Sequence, residues 1–311
     1  MDNIETVPTA PPRKSWWRKI VDFPLVAMVI ALAAIIIVVG LMSFGAIQIG
    51  VEAFPEDAAE AIFALIATLG AIITYKLFVR RLGEEPRDDL PFDRRSKDFW
   101  RGLVFAGLLM TAIVGVTAAL GGYSIAGWGG STSWAFLLFA AGFQAAFFEE
   151  IIARGIIFHY LEQFGGSWFA LVISSLIFGF LHAGNDNATT LSSFAIAVEA
   201  GTLLGGAYML TRNLWLAIGL HFGWNVVQGY LWDVPVSGNA VDGLVDAQVS
   251  GPEIISGGAF GLEASAVAMV MATAAGLWLV YKAAQHGNIV KPWWTRRAAA
   301  RADVPVDQTK L

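Results

Sequence analysis

Between residues 23 and 284 the chain carries eight apolar runs of about 20 residues each, and nothing else in it constrains the fold as strongly. A hydrocarbon core of about 30 Å is crossed by about 20 helical residues rising 1.5 Å each. In lipid the backbone must satisfy its own hydrogen bonds, so runs of this length become helices. They fall at approximately 23–49, 58–79, 102–122, 133–160, 167–184, 189–211, 213–232 and 263–284. Charge supports the assignment: 14% of residues are charged, against about 25% in soluble domains. The expected fold class is therefore all-α, a polytopic membrane protein of about eight transmembrane helices. The chain has no cysteine, which excludes disulfides, thiolate metal sites and a cysteine nucleophile. The first apolar run is too long for a signal-peptide core, so no cleaved leader is expected.

The loops set an orientation. Arg13, Lys14, Arg18 and Lys19 precede the first run, and seven Arg or Lys lie between Arg80 and Arg101. Arg212 separates the sixth and seventh runs, and Lys282, Lys291, Arg296, Arg297 and Arg301 follow the eighth. Segments 51–57 and 233–262 carry acids but no Lys or Arg. Positive-inside counting then puts both termini in the cytoplasm, as an even number of crossings requires. The chain divides into a cytoplasmic tail 1–19, a membrane domain 20–285 and a cytoplasmic tail 286–311, with 1–12 and 298–311 expected to be disordered. Segment 80–101 mixes both signs and reads as a solvated cytoplasmic loop. Segment 233–262 is Gly-rich and long for a connection, which fits a lid or re-entrant piece as well as an ordinary external loop.

Against this apolar background Glu149, Glu150 and Arg154 are conspicuous. A carboxylate in hydrocarbon costs several kcal/mol unless paired, hydrated or neutralised, so an ionisable cluster at that depth is a functional-site candidate. Glu150 and Arg154, four apart, share a helix face and can pair. Glu149 lies about 100° around the helix, free to face a cavity. A structural ion network between helices is the competing explanation. Phe178 and His182 share a face of the fifth run. The turn between the fourth and fifth runs falls near Phe164-Gly165-Gly166, about equally far from Glu149 and His182, so adjacent antiparallel helices bring the two to one level. His221 and Asn225 share a face of the seventh run and suit two ligands or donors aimed at one point. Gly201 and Gly205 read as a close-packing stripe. Glu199, near mid-helix, is a supporting group or faces a water-filled cavity. His159 and His286 sit near helix ends and read as interfacial, and the Trp residues as headgroup belts.

The ordered set Glu-Glu-x-x-x-Arg, Phe-x-x-x-His and His-x-x-x-Asn resembles the motifs of the CPBP intramembrane metalloprotease family, which includes the type II CAAX prenyl endopeptidases and bacteriocin-processing (Abi) proteins. The resemblance covers roughly residues 100–284. It implies eight helices enclosing an intramembrane polar cavity, with Glu149 as the base that activates a water. It further implies that His182 holds that water or a metal, that His221 and Asn225 act as ligands or oxyanion donors, and that Glu150 and Arg154 support the site. Glu149, His182 and His221 would be the ligands of Zn2+ or another divalent metal; a metal-free glutamate mechanism is the alternative. The expected partners are the lipid bilayer and a peptide or membrane-protein substrate, membrane-associated, lipidated or leader-like. No nucleic acid is expected, and no oligomeric state is assigned. The expected location is a bacterial inner membrane. The competing functions are a non-catalytic immunity or scaffold protein of the same fold and, less favoured, a proton- or metal-coupled transporter.

Overall fold

The computed structural model describes residues 15–302; the expectation of disorder over 1–12 and over 303–311 concerns residues outside that range. A short helix Trp16–Val21 leads into α1 (Pro24–Gln48), which starts on a proline whose fixed φ and missing N–H suit the first helical turn. Next come α2 (Glu56–Leu77), with Glu56 and Asp57 at the positive end of its dipole, and α3 (Asp98–Ala119). The strand β1 (Tyr123–Trp128) follows.

Then comes α4, wound as a π-helix over Phe136–Glu149 and Ile151–Phe158. It runs on into α5 (His159–Leu181), which breaks at Gly166, φ +83°. A straight helix would separate residues 149 and 182 by about 50 Å at 1.5 Å per residue. Their side chains instead approach to 3.9 Å, so the chain reverses at that break. The rest comprises α6 (Thr190–Thr211), α7 (Trp215–Val226, prolonged by a π turn Val227–Leu231), β2 (Val245–Val249), α8 (Ala266–Gln285) and α9 (Trp293–Ala302).

Among the described residues six helices are long and apolar enough to cross a membrane: Pro24–Gln48, Glu56–Arg81, Arg94–Ala119, Phe136–Gly184, Thr190–Thr211 and Ala266–Gln285. Val29, Ile36 and Leu41 of α1 are each about 60% exposed or more, at 61%, 61% and 65%, while Ala27, Ala31 and Ile35 face inward. That distribution suits a lipid-facing surface around a packed interior. The chain is a mostly helical, polytopic integral membrane protein.

α6 lies centrally, packed on α5 and α8, and α3 packs along α7. These contacts depend on small residues. A Cβ at Gly219 of α7 would stand 2.0 Å from the Phe99 carbonyl oxygen, and one at Gly201 of α6 would stand 2.4 Å from the Cβ of Ser175 on α5. Backbones this close gain van der Waals contact that lipid cannot match.

Two expectations need correction. Segment 80–101 is not merely a solvated loop. Asp89 and Leu90 have no exposed surface, because Asp89 is held by Arg87, His159 and Tyr208. His159, near the junction of α4 and α5, is buried in the same network and also meets Gln163 at 2.7 Å. Residues 298–302, expected to be disordered, continue α9, whose Arg296 and Arg297 pair with Glu85 and Glu84. One small sheet accompanies the helices. β1 and β2 pair antiparallel from Tyr123 opposite Val249 to Trp128 opposite Val245, with an irregularity between Ile125 and Gly127.

Candidate active site

The π-wound α4 presents consecutive residues to different neighbours. Glu150 turns into the protein and has no exposed surface. Its Oε1 accepts from Arg154 Nη1 at 2.9 Å and from His221 Nδ1 at 3.0 Å. Arg154 is 1% exposed. Its other terminal nitrogen donates to the Ala200 carbonyl at 3.3 Å, and its guanidinium lies 4.4 Å from the centroid of the Phe178 ring. A positive charge in this position is compensated by a carboxylate, a carbonyl and an aromatic face. The expected i, i+4 pair is present, and it also orients a histidine.

Glu149 faces the other way and keeps 34% of its side chain exposed. His182 Nε2 and His221 Nε2 each stand 3.9 Å from its Oε2. The tautomers follow from what the other ring nitrogens meet. His182 Nδ1 lies 2.9 Å from the Phe178 carbonyl, which can only accept, so Nδ1 carries the hydrogen. His221 Nδ1 donates to the Glu150 carboxylate in the same way. In the neutral imidazoles Nε2 then carries the lone pair, and in both rings Nε2 is the nitrogen beside Glu149 Oε2. Phe178 holds the pair in place, its ring centroid 4.9 Å from that of His182 and 6.0 Å from that of His221.

Asn225, one helical turn beyond His221, is 6% exposed and donates from Nδ2 to the Ala141 carbonyl at 2.7 Å. Glu149, His182, His221 and Asn225 line one cavity of about 230 Å³ with Phe136, Gln144 and Asn185. A neighbouring cavity of about 190 Å³ reaches Glu149 and His182 from between Ile152 and Leu181. Leu181 is 65% exposed on the outer surface, so this second approach opens toward the apolar exterior. All six residues singled out by sequence thus meet in one place, Glu150 and Arg154 behind Glu149 and the other three around it.

The three acceptors around Glu149 define what the site can hold. Glu149 Oε2 is buried and has no hydrogen-bond partner among the described residues. A water molecule can donate to two acceptors and leaves a third without a hydrogen; a metal ion or an extra proton satisfies all three. The donor set, one carboxylate and two imidazoles without thiolate, is suited to zinc, and the Glu150 bond to His221 is the kind of outer contact that fixes a metal-bound imidazole. The 3.9 Å separations exceed the roughly 3.3 Å between ligands of a tetrahedral zinc with bonds near 2.0 Å. Among the described residues no group of three such donors is closed into a ready metal cage.

Sequence reasoning did not place the contribution of segment 233–262. Val236, Ser237 and Asn239 wall the cavity above Glu149. The turn is anchored by Asn185 Nδ2 donating to the Ser237 carbonyl at 2.9 Å and by Ser237 N–H donating to Glu263 at 2.9 Å. Glu263 is 4% exposed. Its signal in the sequence was an acid at the first position of an apolar run.

Residues 131–227 match a family model described as Rce1-like, type II CAAX prenyl endopeptidase Rce1-like. The matched stretch includes Glu149, Glu150, Arg154, His182, His221 and Asn225. Neither the curated proteins nor the solved structures yielded a match to the chain.

Proposed function

This integral membrane protein carries, over residues 131–227, the segment of the Rce1-like family of type II CAAX prenyl endopeptidases, and from that premise we propose that it is an intramembrane endopeptidase in which Glu149 activates a water. The observation that carries this reading is the approach of two Nε2 atoms to Glu149 Oε2, 3.9 Å away in each case, at the edge of a cavity.

In this mechanism Glu149 takes a proton from the water as its oxygen bonds to the scissile carbonyl carbon. His182 and His221 position that water, and the carboxylate of Glu150 keeps His221 in the required tautomer. Asn225, whose Nδ2 gives one hydrogen to the Ala141 carbonyl, offers the other to the developing oxyanion. A divalent metal held by Glu149, His182 and His221 would lower the pKa of the water and polarise the carbonyl. The substrate is a membrane-associated, lipidated or leader-type peptide, entering with its apolar part between Ile152 and Leu181. Counting the two limbs of the bent Phe136–Gly184 helix separately, and adding Trp215–Leu231, gives eight crossings, with both termini on the cytoplasmic side of a bacterial inner membrane.

The test uses purified protein in lipid nanodiscs and a panel of quenched apolar peptides, prenylated and unmodified, with products read by mass spectrometry. The wild type should cleave at least one peptide at a defined bond, and His182→Ala and His221→Ala should not. Equal cleavage by both variants would reject the assignment. Intact binding of the panel without cleavage would favour the non-catalytic alternative.

A further inference from the structure

The cavity beside Glu149 extends in one direction. On α4 its walls include Phe136, Ala140 and Gln144, all N-terminal to Glu149. On α7 it takes in Asn225, C-terminal to His221. The two helices run antiparallel, since His221 meets Glu150 while Asn225 meets Ala141. Both walls therefore climb toward one end of the molecule, where Asn185, Ser237 and Asn239 complete the cavity beyond α5 and α7. In the other direction Ile151, Ile156, Phe158, Leu214 and Ile218 pack in one apolar cluster with no exposed surface. Beyond them lies the buried network of Arg87, Asp89, His159 and Tyr208. A peptide arriving from that end would have to part a close-packed interior.

Charge separates the same two ends. Segments 20–75, 102–153, 155–211 and 213–281 hold no Lys or Arg. Among the described residues every Lys and Arg except Arg154 thus falls in 15–19, 76–101 or 282–302, or is Arg212. Contacts gather these pieces at the closed end. Arg296 and Arg297 pair with Glu85 and Glu84, Arg212 pairs with Glu162 just past His159, and Phe23 stacks edge-on against Phe164 and Trp293. The segment at the open end carries Asp233, Asp242 and Asp246 and no cation.

We propose that the closed end faces the cytoplasm, where membrane proteins keep their Lys and Arg, and that the site opens to the extracytoplasmic face to take an exported polypeptide tethered there by an apolar segment. The side approach between Ile152 and Leu181 suits the tether. It reaches the surface at Leu181, the last residue of α5 and so on the open side. Gln144, Asn185 and Asn239 offer neutral donors and acceptors to the backbone of the polar stretch. The acids of the open end favour a flank that is neutral or cationic. A prenylated tail made and held in the cytoplasm would meet the closed end. That the occupant is hydrolysed rests on the function proposed above; the direction in which the cavity opens does not.

Because the chain has no cysteine, single cysteines report the side they face. Gln144→Cys probes the cavity wall, Ala240→Cys the open end and His286→Cys the closed end, the last two at exposed positions. A membrane-impermeant maleimide is applied to spheroplasts and to inside-out vesicles of a bacterial host expressing each full-length variant. Gln144→Cys and Ala240→Cys should be labelled in spheroplasts and not in vesicles, and His286→Cys the reverse. Labelling of Gln144→Cys in the vesicles, or in neither preparation, would overturn the proposal. If Gln144→Cys does not fold, Ala140→Cys on the same wall carries the test. A peptide that the purified protein cleaves, given a sulfonated tag that stops it crossing the membrane, should then be cut by spheroplasts and spared by vesicles, with His182→Ala as the blank. Cutting by vesicles alone would overturn the substrate assignment. Absence of cleavage even by purified protein, with the labelling as expected, would reject the protease function and leave the direction of opening in place.

Discussion

Replacing Arg154 by Ala tests how the charged cluster is tolerated at membrane depth. Arg154 and Glu150 are 1% and 0% exposed and their hydrogen bond is 2.9 Å long. Breaking a buried pair by removing one partner costs about 3–5 kcal/mol, most of it the penalty of a buried charge left without compensation. In this protein His221 Nδ1 still donates to Glu150 Oε1, which offsets part of that penalty. A charge-assisted hydrogen bond is worth about 1.5–3 kcal/mol, so the expected loss is about 1–3 kcal/mol. Glu149→Gln removes a carboxylate that is 34% exposed and lacks an ion-pair partner shorter than 3.9 Å, so it should cost well under 1 kcal/mol. The double variant Glu150→Gln/Arg154→Ala removes both charges and should be more stable than Arg154→Ala alone, a non-additivity that a double-mutant cycle reads directly. Reversible unfolding in detergent, followed by tryptophan fluorescence, gives the values for these three variants and for Glu150→Gln, which completes the cycle. An Arg154→Ala protein as stable as wild type, or a Glu149→Gln protein less stable than Arg154→Ala, would refute the division into support and chemistry.

Gly219→Ala places a methyl 2.0 Å from the Phe99 carbonyl oxygen and should destabilise the α3–α7 contact by about 1–3 kcal/mol or more, seen as a lower melting temperature, whereas Gly40→Ala meets nothing within 4 Å and should be neutral or slightly stabilising. Burial works against the ionised form of Asp89, yet the hydrogen bond and charge of His159 and the charge of Arg87 hold its carboxyl below the ordinary range. A depressed carboxyl contributes stability above its unfolded value, near 3.9, and that contribution disappears as pH falls through the folded value; melting temperatures from pH 6 down to the acid limit should fall, and less steeply in Asp89→Asn. If a metal is held by Glu149, His182 and His221, a strong chelator should abolish peptide cleavage and zinc should restore it, with affinity falling as the histidines protonate; chelator-resistant turnover in protein shown by elemental analysis to be metal-free would assign the whole task to Glu149.

The parts of this protein that sequence made legible share one property: each is set by helix periodicity or by the cost of charge in lipid. The pairing of Glu150 with Arg154 follows from spacing alone, and Gly166, at φ +83°, lies at the predicted turn. The matching depths of Glu149 and His182 followed from counting residues on either side of that turn. What escaped depended on long-range contacts with no local period. The π winding of Phe136–Glu149 and Ile151–Phe158 leaves the same apolar composition as an α-helix would. Arg87 and Asp89 look like ordinary loop charges until His159 and Tyr208, 70 or more residues away, are folded against them. Ser237 reaches the cavity only because Asn185 and Glu263 hold its turn there. The Trp residues divide for the same reason: Trp168 and Trp278 lie on the outer surface as expected, while Trp215 and Trp224 are buried by tertiary packing.

If Glu149 is the base, the decisive quantity is the rate of Glu149→Gln on whichever peptide the wild type cleaves. Gln keeps the shape and removes the capacity to take a proton, and general-base catalysis contributes about 10²–10⁴ in rate. A loss of at least that size is expected, with melting temperature and membrane insertion unchanged and cleavage absent from any fraction of the purified variant. Cleavage by Glu149→Gln at the wild-type rate would contradict it.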